Sequence, residues 1–365
     1  MTRNASPRKQ GVLLINLGSP DSTDVGDVRR YLHEFLTDPR VLDNPAPIRH
    51  AVVNLAILPT RPKESAHAYE QIWTDEGSPL IIITEKVATL LRERIGANFD
   101  QDLPVVVGMR YQNPSTRSAL QKLAGLGVED LFVVPLYPHY AMSSYETAVA
   151  KVKDEARDLG LDMSLTFQPP FFDDPDYIEA MVEVAKPYLE EDYDKILFSY
   201  HGIPERHLRK SDASGCHCLQ SEDCCQKASP AHATCYRRQV HATTWAFTEK
   251  AGIPPEKWDL AFQSRLGRDP WLMPYTDKAI EDYPGEGVKK LVVISPAFVS
   301  DCLETIEELG MRGKEDFLAA GGEDYRLVPC LNEHPRWIDT LEKFVKTFVD
   351  GGFHDARPTV PVART

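Results

Sequence analysis

The chain has 365 residues, and 41 basic against 55 acidic side chains give it a formal charge of −14. That balance argues against a nucleic-acid binder, because counterion release needs clustered Lys and Arg. Hydrophobic residues at 42% and charged residues at 26% are ordinary globular values that exclude wholesale disorder, collagen or a coiled coil, and the length predicts two packed domains.

Short β-branched or apolar runs recur along the chain between amphipathic helical stretches. They fall at Val12 to Leu17, Val105 to Val107, Leu131 to Leu136, Met163 to Phe167, Ile196 to Tyr200, Leu260 to Phe262, Leu291 to Ile294 and Leu327 to Cys330. Strands alternating with helices predict α/β architecture with parallel sheets covered on both faces. The second set of four echoes the first. VLLINLGSP and ILFSYHGIP superimpose Gly18 on Gly202, the third-strand ends superimpose Glu146-Thr147 on Glu304-Thr305, and the fourth superimpose Pro175 on Pro335. Two doubly wound lobes, 10–170 and 171–350, are expected, with a ligand cleft at the carboxyl ends of their strands. The competing explanation is that all strand-Pro-helix junctions resemble one another.

Two segments break the pattern. Residues 44–62, NPAPIRHAVVNLAILPTRP, read either as a buried helix or as an exposed apolar lip. The tail 351–365 has no periodicity and is expected to be disordered.

Three clusters carry chemistry. His201 in FSYHGIPER ends a predicted strand, and an imidazole at a cleft edge is the natural proton acceptor near neutral pH. In SPAFVSDCLETIEE a helix starting near Asp301 sets Glu304 and Glu308 on one face, with Glu307 beside them. A row of acids facing a cleft suits proton relay or handling of a cation, and otherwise it is a solvated helix face with a capping Asp. The stretch QSRLGRDPW offers Arg265 and Arg268 to carboxylates and Trp271 to a flat ring. Nucleotide-binding and acyl-transfer signatures, G-x-G-x-x-G, Walker A and G-x-S-x-G, do not occur.

Five of the seven cysteines, Cys216, Cys218, Cys224, Cys225 and Cys235, crowd into GCHCLQSEDCCQKASPAHATC. The start of the chain is basic and polar without the apolar stretch of a signal peptide, and no run approaches the roughly 18 apolar residues of a membrane span, so a cytoplasmic location is expected. In a reducing compartment such crowding points to metal ligation before disulfides. Five thiols exceed the four of an all-Cys iron-sulfur cluster by one, and a zinc site is the alternative.

The motifs VLLINLGSP, EGSPL, VVPLYPHYAMSSYET, SYHGIPER, QSRLGRDPWL, SPAFVSDCLETIEEL and LNEHP together resemble ferrochelatases, from about Val12 to Phe348. The resemblance implies two Rossmann-like domains holding a porphyrin between them, with Fe²⁺ inserted in haem synthesis. It implies His201 and Glu304 as the essential pair, both meeting the iron, with Asp301 and Glu308 continuing an acidic path. Arg110, Tyr111, Tyr137 and Tyr140 match pocket residues, and residues 44–62 match a lip over the porphyrin, with Arg61 and Ser78 meeting propionates. On that reading Leu55 and Ile57 cover the ring.

Cys302 departs from animal members, which carry His there. The insert at 211–235 resembles the internal iron-sulfur segment of some bacterial members. The expected cofactor is a 2Fe-2S cluster on Cys218, Cys224, Cys225 and Cys235, with Cys216 as the spare or substitute. The apolar lip and the scarcity of basic residues around it favour protoporphyrin over coproporphyrin as substrate, and the same lip allows peripheral contact with a membrane. Other tetrapyrrole chelatases and a non-enzymatic iron-sulfur sensor or tetrapyrrole binder are the competing functions. A monomer or a homodimer is compatible with the sequence.

Overall fold

The computed structural model describes residues 8–265, 267 and 269–353. Strand β1 (Gln10–Asn16) is buried along nearly its whole length, as an apolar run must be at the centre of a parallel sheet. It lies between β2 (Val105–Met109) and β3 (Asp130–Pro135), and β4 (Ser164–Phe167) completes the order β2-β1-β3-β4. The second half repeats this arrangement. Strand β5 (Lys195–His201) lies between β6 (Trp258–Gln263) and β7 (Lys290–Ile294), and β8 (Asp324–Leu327) completes β6-β5-β7-β8. All pairings are parallel.

The last strand sits earlier than Leu327 to Cys330, where the apolar pattern put it. Asp324–Leu327 pairs with Lys290–Val293, and the Val328 amide still reaches the Val293 carbonyl at 2.9 Å. Pro329 then has no N–H to continue the ladder, so the predicted run is the exit from the strand.

The helices are α1 (Val25–Leu36), α2 (Ala46–Ala51), α3 (Arg61–Ile72), α4 (Pro79–Asn98), α5 (Thr116–Gly125), α6 (Thr147–Asp158), α7 (Pro175–Leu189), α8 (Glu205–Ser211), α9 (Tyr236–Ala251), α10 (Thr276–Asp282), α11 (Lys314–Ala319) and α12 (Pro335–Val349). Pro175 and Pro335 open α7 and α12, where the missing N–H is harmless and the fixed φ suits a helix start. The Glu-Thr pair at 146–147 straddles the end of a π-helical turn, Met142–Glu146, and the pair at 304–305 opens another, Glu304–Gly313, where the spacing of Glu304 and Glu308 suggested plain α-helix.

One apolar core joins the two sheets. It contains Val12, Leu14 and Phe132 from the first and Phe198, Val292 and Ile294 from the second. Helix α12, from the end of the second half, crosses to the first sheet, where Phe348 stacks on Phe132 at 5.0 Å between centroids. Phe171, Tyr177, Trp337 and Phe344 form the aromatic knot between α7 and α12.

Residues 44–62 combine both expected behaviours. Helix α2 runs on into a π-helical stretch, Val52–Ile57. Val53 and Leu58 are buried against Leu36, while Ile48, Val52 and Leu55 stand exposed, Leu55 at 78%. Arg268 and residues 354–365, on which expectations were placed, lie outside the described residues.

Candidate active site

The carboxyl ends of β1, β3, β5 and β7 converge on a cavity of about 980 Å³, counting space open to solvent. Each central strand leaves its sheet over a glycine pressed against the loop that follows the neighbouring strand. At Gly18, φ is +106° and a Cβ would come within 2.0 Å of the Tyr111 carbonyl; at Gly202 it would come within 2.8 Å of the Gln263 carbonyl. Any side chain at either position would push the strand end away from the cavity.

His201 is the last residue of β5 and lines the cavity. Its Nδ1 lies 2.7 Å from the Gly202 carbonyl. A carbonyl only accepts, so Nδ1 carries a proton, and the lone pair of the neutral tautomer falls on Nε2. The carbonyl of His201 itself accepts a 2.8 Å bond from the Tyr236 hydroxyl.

Glu304, at the start of the long π-helical stretch, lines the same cavity. Glu308 follows it and accepts a 2.7 Å bond from the Ser264 hydroxyl. Burial, reinforced by the charge of Glu304, raises the Glu308 pKa against the opposing pull of Ser264, Arg312 and His201. A carboxyl raised in this way can take up and release a proton. Burial and Glu304 likewise push the Cys302 thiol well up, so it lines the wall as a neutral group.

Asp301 stands behind this row. Its carboxylate accepts from Asn332 Nδ2 at 2.6 Å and from the Thr305 hydroxyl at 2.9 Å, which ties the turn before Glu304 to the loop after β8. It is not among the cavity-lining residues.

In the first half, Tyr137 and Ser78 line the cavity. Arg110 and Tyr111 do not; both serve Asp38, which is almost fully buried. Asp38 accepts from the Arg110 guanidinium, the Thr147 hydroxyl and, at 2.9 Å, the Tyr111 hydroxyl. Burial works against the charge on Asp38, but these partners outweigh it and hold the carboxyl below its usual range. Tyr140 donates to Glu146 at 2.6 Å. Arg61 is exposed and pairs with Glu64 at 3.8 Å. In the QSRLGRDPW stretch, Arg265 lies over the Tyr275 ring and pairs with Asp277, while Trp271 bridges to Pro204. Neither lines the cavity, and neither do Leu55 and Ile57.

Tyr31, Phe35, Tyr69, His139 and Tyr236 line the cavity without having been singled out from the sequence. Tyr31 and Phe35 are i, i+4 neighbours on α1 and stack with centroids 6.1 Å apart. Such a pair reads as core, and only the tertiary arrangement turns it toward a ligand. His139 is neutral, burial pulling its pKa down to about 3.

The arrangement is an aromatic-walled slot in which His201 and the Glu304 carboxyl face one ligand, with Glu308 behind the wall on Ser264. It suits moving protons off a flat, largely apolar molecule.

The fold is that of chelatases. SirB from Bacillus subtilis, solved with Fe³⁺, superposes with a TM-score of 0.54 at 12% identity, covering 94% of this chain and 98% of that one. The sirohydrochlorin chelatase SirB from B. subtilis subspecies spizizenii with cobalt gives 0.52 at 10% identity, covering 94% and 96%. The ferrochelatase family profile matches residues 9–348. Ferrochelatases of Opitutus terrae and Ectopseudomonas mendocina are 51% and 50% identical, covering 93% and 91% of this chain and 98% and 96% of theirs. The chain belongs to the ferrochelatase family, the lyases of haem biosynthesis that insert metal into a porphyrin.

Proposed function

We propose that the enzyme inserts Fe²⁺ into protoporphyrin IX, with His201 and Glu304 as its catalytic residues. The observation that carries this reading is that both side chains line one aromatic-walled cavity, His201 with its Nε2 lone pair free of the Gly202 contact. Two pyrrole N–H protons must leave as Fe²⁺ enters, and a flat ring hides its nitrogen lone pairs. The site must therefore favour a buckled ring and accept protons while metal bonds form. His201 takes the first proton, and Glu304 and Glu308 carry protons or iron along the other side. Iron stays ferrous throughout and no protein atom attacks carbon. Tyr137 and Ser78 contact the substrate, whereas Asp301, Arg110, Tyr111 and Tyr140 hold the wall in shape.

Protoporphyrin is favoured over coproporphyrin because, among the described residues, no Lys or Arg lines the cavity. Four carboxylates would ask for more countercharge than two. Purified protein given protoporphyrin and Fe²⁺ anaerobically should convert the free-base Soret band to that of haem, and more slowly with coproporphyrin. No conversion of either would remove the proposal.

Cys218, Cys224, Cys225 and Cys235 are proposed to hold a 2Fe-2S cluster. All four are buried, whereas Cys216 is exposed and contacts the Ser214 hydroxyl. Hydrogen bonds from the Cys218 and Cys225 thiols draw Cys235 toward its thiolate. Four buried thiols, with Cys235 flanked by Cys218 and Cys225, are a donor set suited to iron. Among the described residues, no three His, Cys, Asp or Glu are arranged to hold a single metal ion. The cluster would supply a cross-link through the segment. Anaerobically purified protein should be reddish with about two irons and two sulfides per chain, and Cys225→Ser should bleach it. Stoichiometric zinc without acid-labile sulfide would be the contrary result.

No helix among the described residues is long and apolar enough to cross a membrane. Ile48, Val52 and Leu55, spaced i, i+4, i+7 and exposed, are proposed to contact a membrane surface. Ile48→Ser/Leu55→Ser should pellet less with anionic vesicles at unchanged thermal stability. Ile57→Ser should instead lower stability, since Ile57 packs against Val53 and Leu58. Equal vesicle binding by wild type and the double variant would dismiss the membrane face.

A further inference from the structure

Helix α9 begins immediately after Cys235, and its first turns reach into both halves of the active site. Tyr236 lines the cavity and donates its hydroxyl to the carbonyl of His201 at 2.8 Å. Gln239 is fully buried and works in two directions. Its Nε2 donates to the Ala233 carbonyl in the Cys segment at 3.0 Å, and its Oε1 accepts the Tyr140 amide at 2.7 Å in the loop after β3. One turn further, the Thr243 hydroxyl lies 2.8 Å from Nε2 of His139, whose ring meets that of Tyr236 edge to face at 5.8 Å.

The Cys segment is itself tied to the His201 loop from the other side. The Asp212 carboxylate, at the end of α8, accepts the amides of Ser214, His217 and Cys218 at 2.8–2.9 Å. The Thr234 hydroxyl donates to the Ser211 carbonyl at 2.6 Å. Cys235 and Tyr236 are consecutive, so the last of the four thiols and the group that holds His201 sit on adjacent residues.

We infer that Tyr236 is a positioning residue for His201, and that α9 carries the state of the Cys218, Cys224, Cys225 and Cys235 thiols to the catalytic imidazole. This rests on the cluster reading above. The His201 ring orientation depends on the Nδ1 contact to the Gly202 carbonyl, one peptide unit from the carbonyl that Tyr236 holds. Losing the Tyr236 bond leaves that peptide held from one side only, by the Gly202 amide on the Gln263 carbonyl at 2.8 Å, and lets it tilt so that Nε2 leaves its line of approach. Substrate affinity changes little, because the aromatic body of Tyr236 remains in the wall.

The test uses Tyr236→Phe as intact, anaerobically purified protein. Its cluster absorbance, melting temperature and KM for protoporphyrin should match wild type. Its kcat should fall about three- to tenfold, the scale of one net hydrogen bond. Amide exchange in the 199–204 peptide should rise. Removing the cluster from wild type with a chelator should raise the same exchange and lower kcat, whereas in Tyr236→Phe it should add little to either.

A raised KM with unchanged kcat would overturn the positioning role and make Tyr236 a substrate contact. Cluster removal that loosens 199–204 equally in both proteins would overturn the coupling while leaving the cluster reading intact. Protein that carries no iron or sulfide would overturn the cluster reading, and the coupling with it. The Tyr236→Phe loss in kcat would then still measure the positioning role by itself.

Discussion

His201→Ala is expected to lose at least about a hundredfold in kcat, the lower end of what a positioned general base contributes. Porphyrin affinity should hardly change, because the ring is gripped by aromatic walls and the imidazole acts as protons leave. The main chain should hold as well, since Tyr236 bonds the backbone carbonyl at 201 and not the ring. Steady-state insertion kinetics beside a porphyrin fluorescence titration separate the two quantities. A variant that kept more than about a tenth of wild-type turnover would reduce His201 to a wall residue.

Arg110→Ala has its largest expected effect on stability. The guanidinium is the cationic partner of Asp38 in a site where the two side chains are 12% and 1% exposed. Removing one member of a buried pair leaves an uncompensated charge and costs about 3–5 kcal/mol. The pH dependence has a definite sign. In the folded wild type the Asp38 carboxyl lies below its ordinary range, so its contribution is complete above the unfolded pKa and is lost as pH falls through the folded one. Without Arg110 the depression shrinks to what the Thr147 and Tyr111 hydroxyls and the Arg40 amide supply against burial. The gap between variant and wild type should be widest near neutral pH and close on acidification below about pH 4. Urea titrations at two pH values measure it. A normal midpoint with a raised porphyrin KM would show instead that Arg110 faces the substrate, as the family resemblance implies.

The sheets were readable because a buried parallel strand writes itself as an uninterrupted apolar run, and seven of the eight runs coincide with strands to within a residue or two. The eighth slipped because Val328 and Leu331 are buried after the strand has ended, and apolar pattern reports burial, not pairing. The cavity positions of His201 and Glu304 were readable from different signals, His201 from the end of β5 and Glu304 from the spacing of acids in the segment after β7.

Arg110 was less so. Its neighbour Tyr111 ends fully buried, and both turn toward Asp38, a residue far away in sequence whose role no spacing rule announces. Tyr31, Phe35 and Tyr69 were hidden for a related reason. An aromatic on a helix faces either core or ligand, and only the packing of α1 against α3 decides between them. The π-helical form of 304–313 left no mark in the apolar pattern, since residues four apart share a face in either geometry.

The crossing of α12 has a consequence for how the protein is made. The Phe348 ring that covers Phe132 follows it by more than two hundred residues and is synthesised long after it. The first sheet therefore emerges from the ribosome with the part of its Phe132 face beyond α4 uncovered, and it stays so until α12 has been made. Contacts this distant in sequence slow folding and prolong the life of sticky intermediates. A chain cut before Pro335 should not give a stable amino-terminal half with a missing appendage; it should aggregate as a whole, and nascent chains of that length should be clients of chaperones.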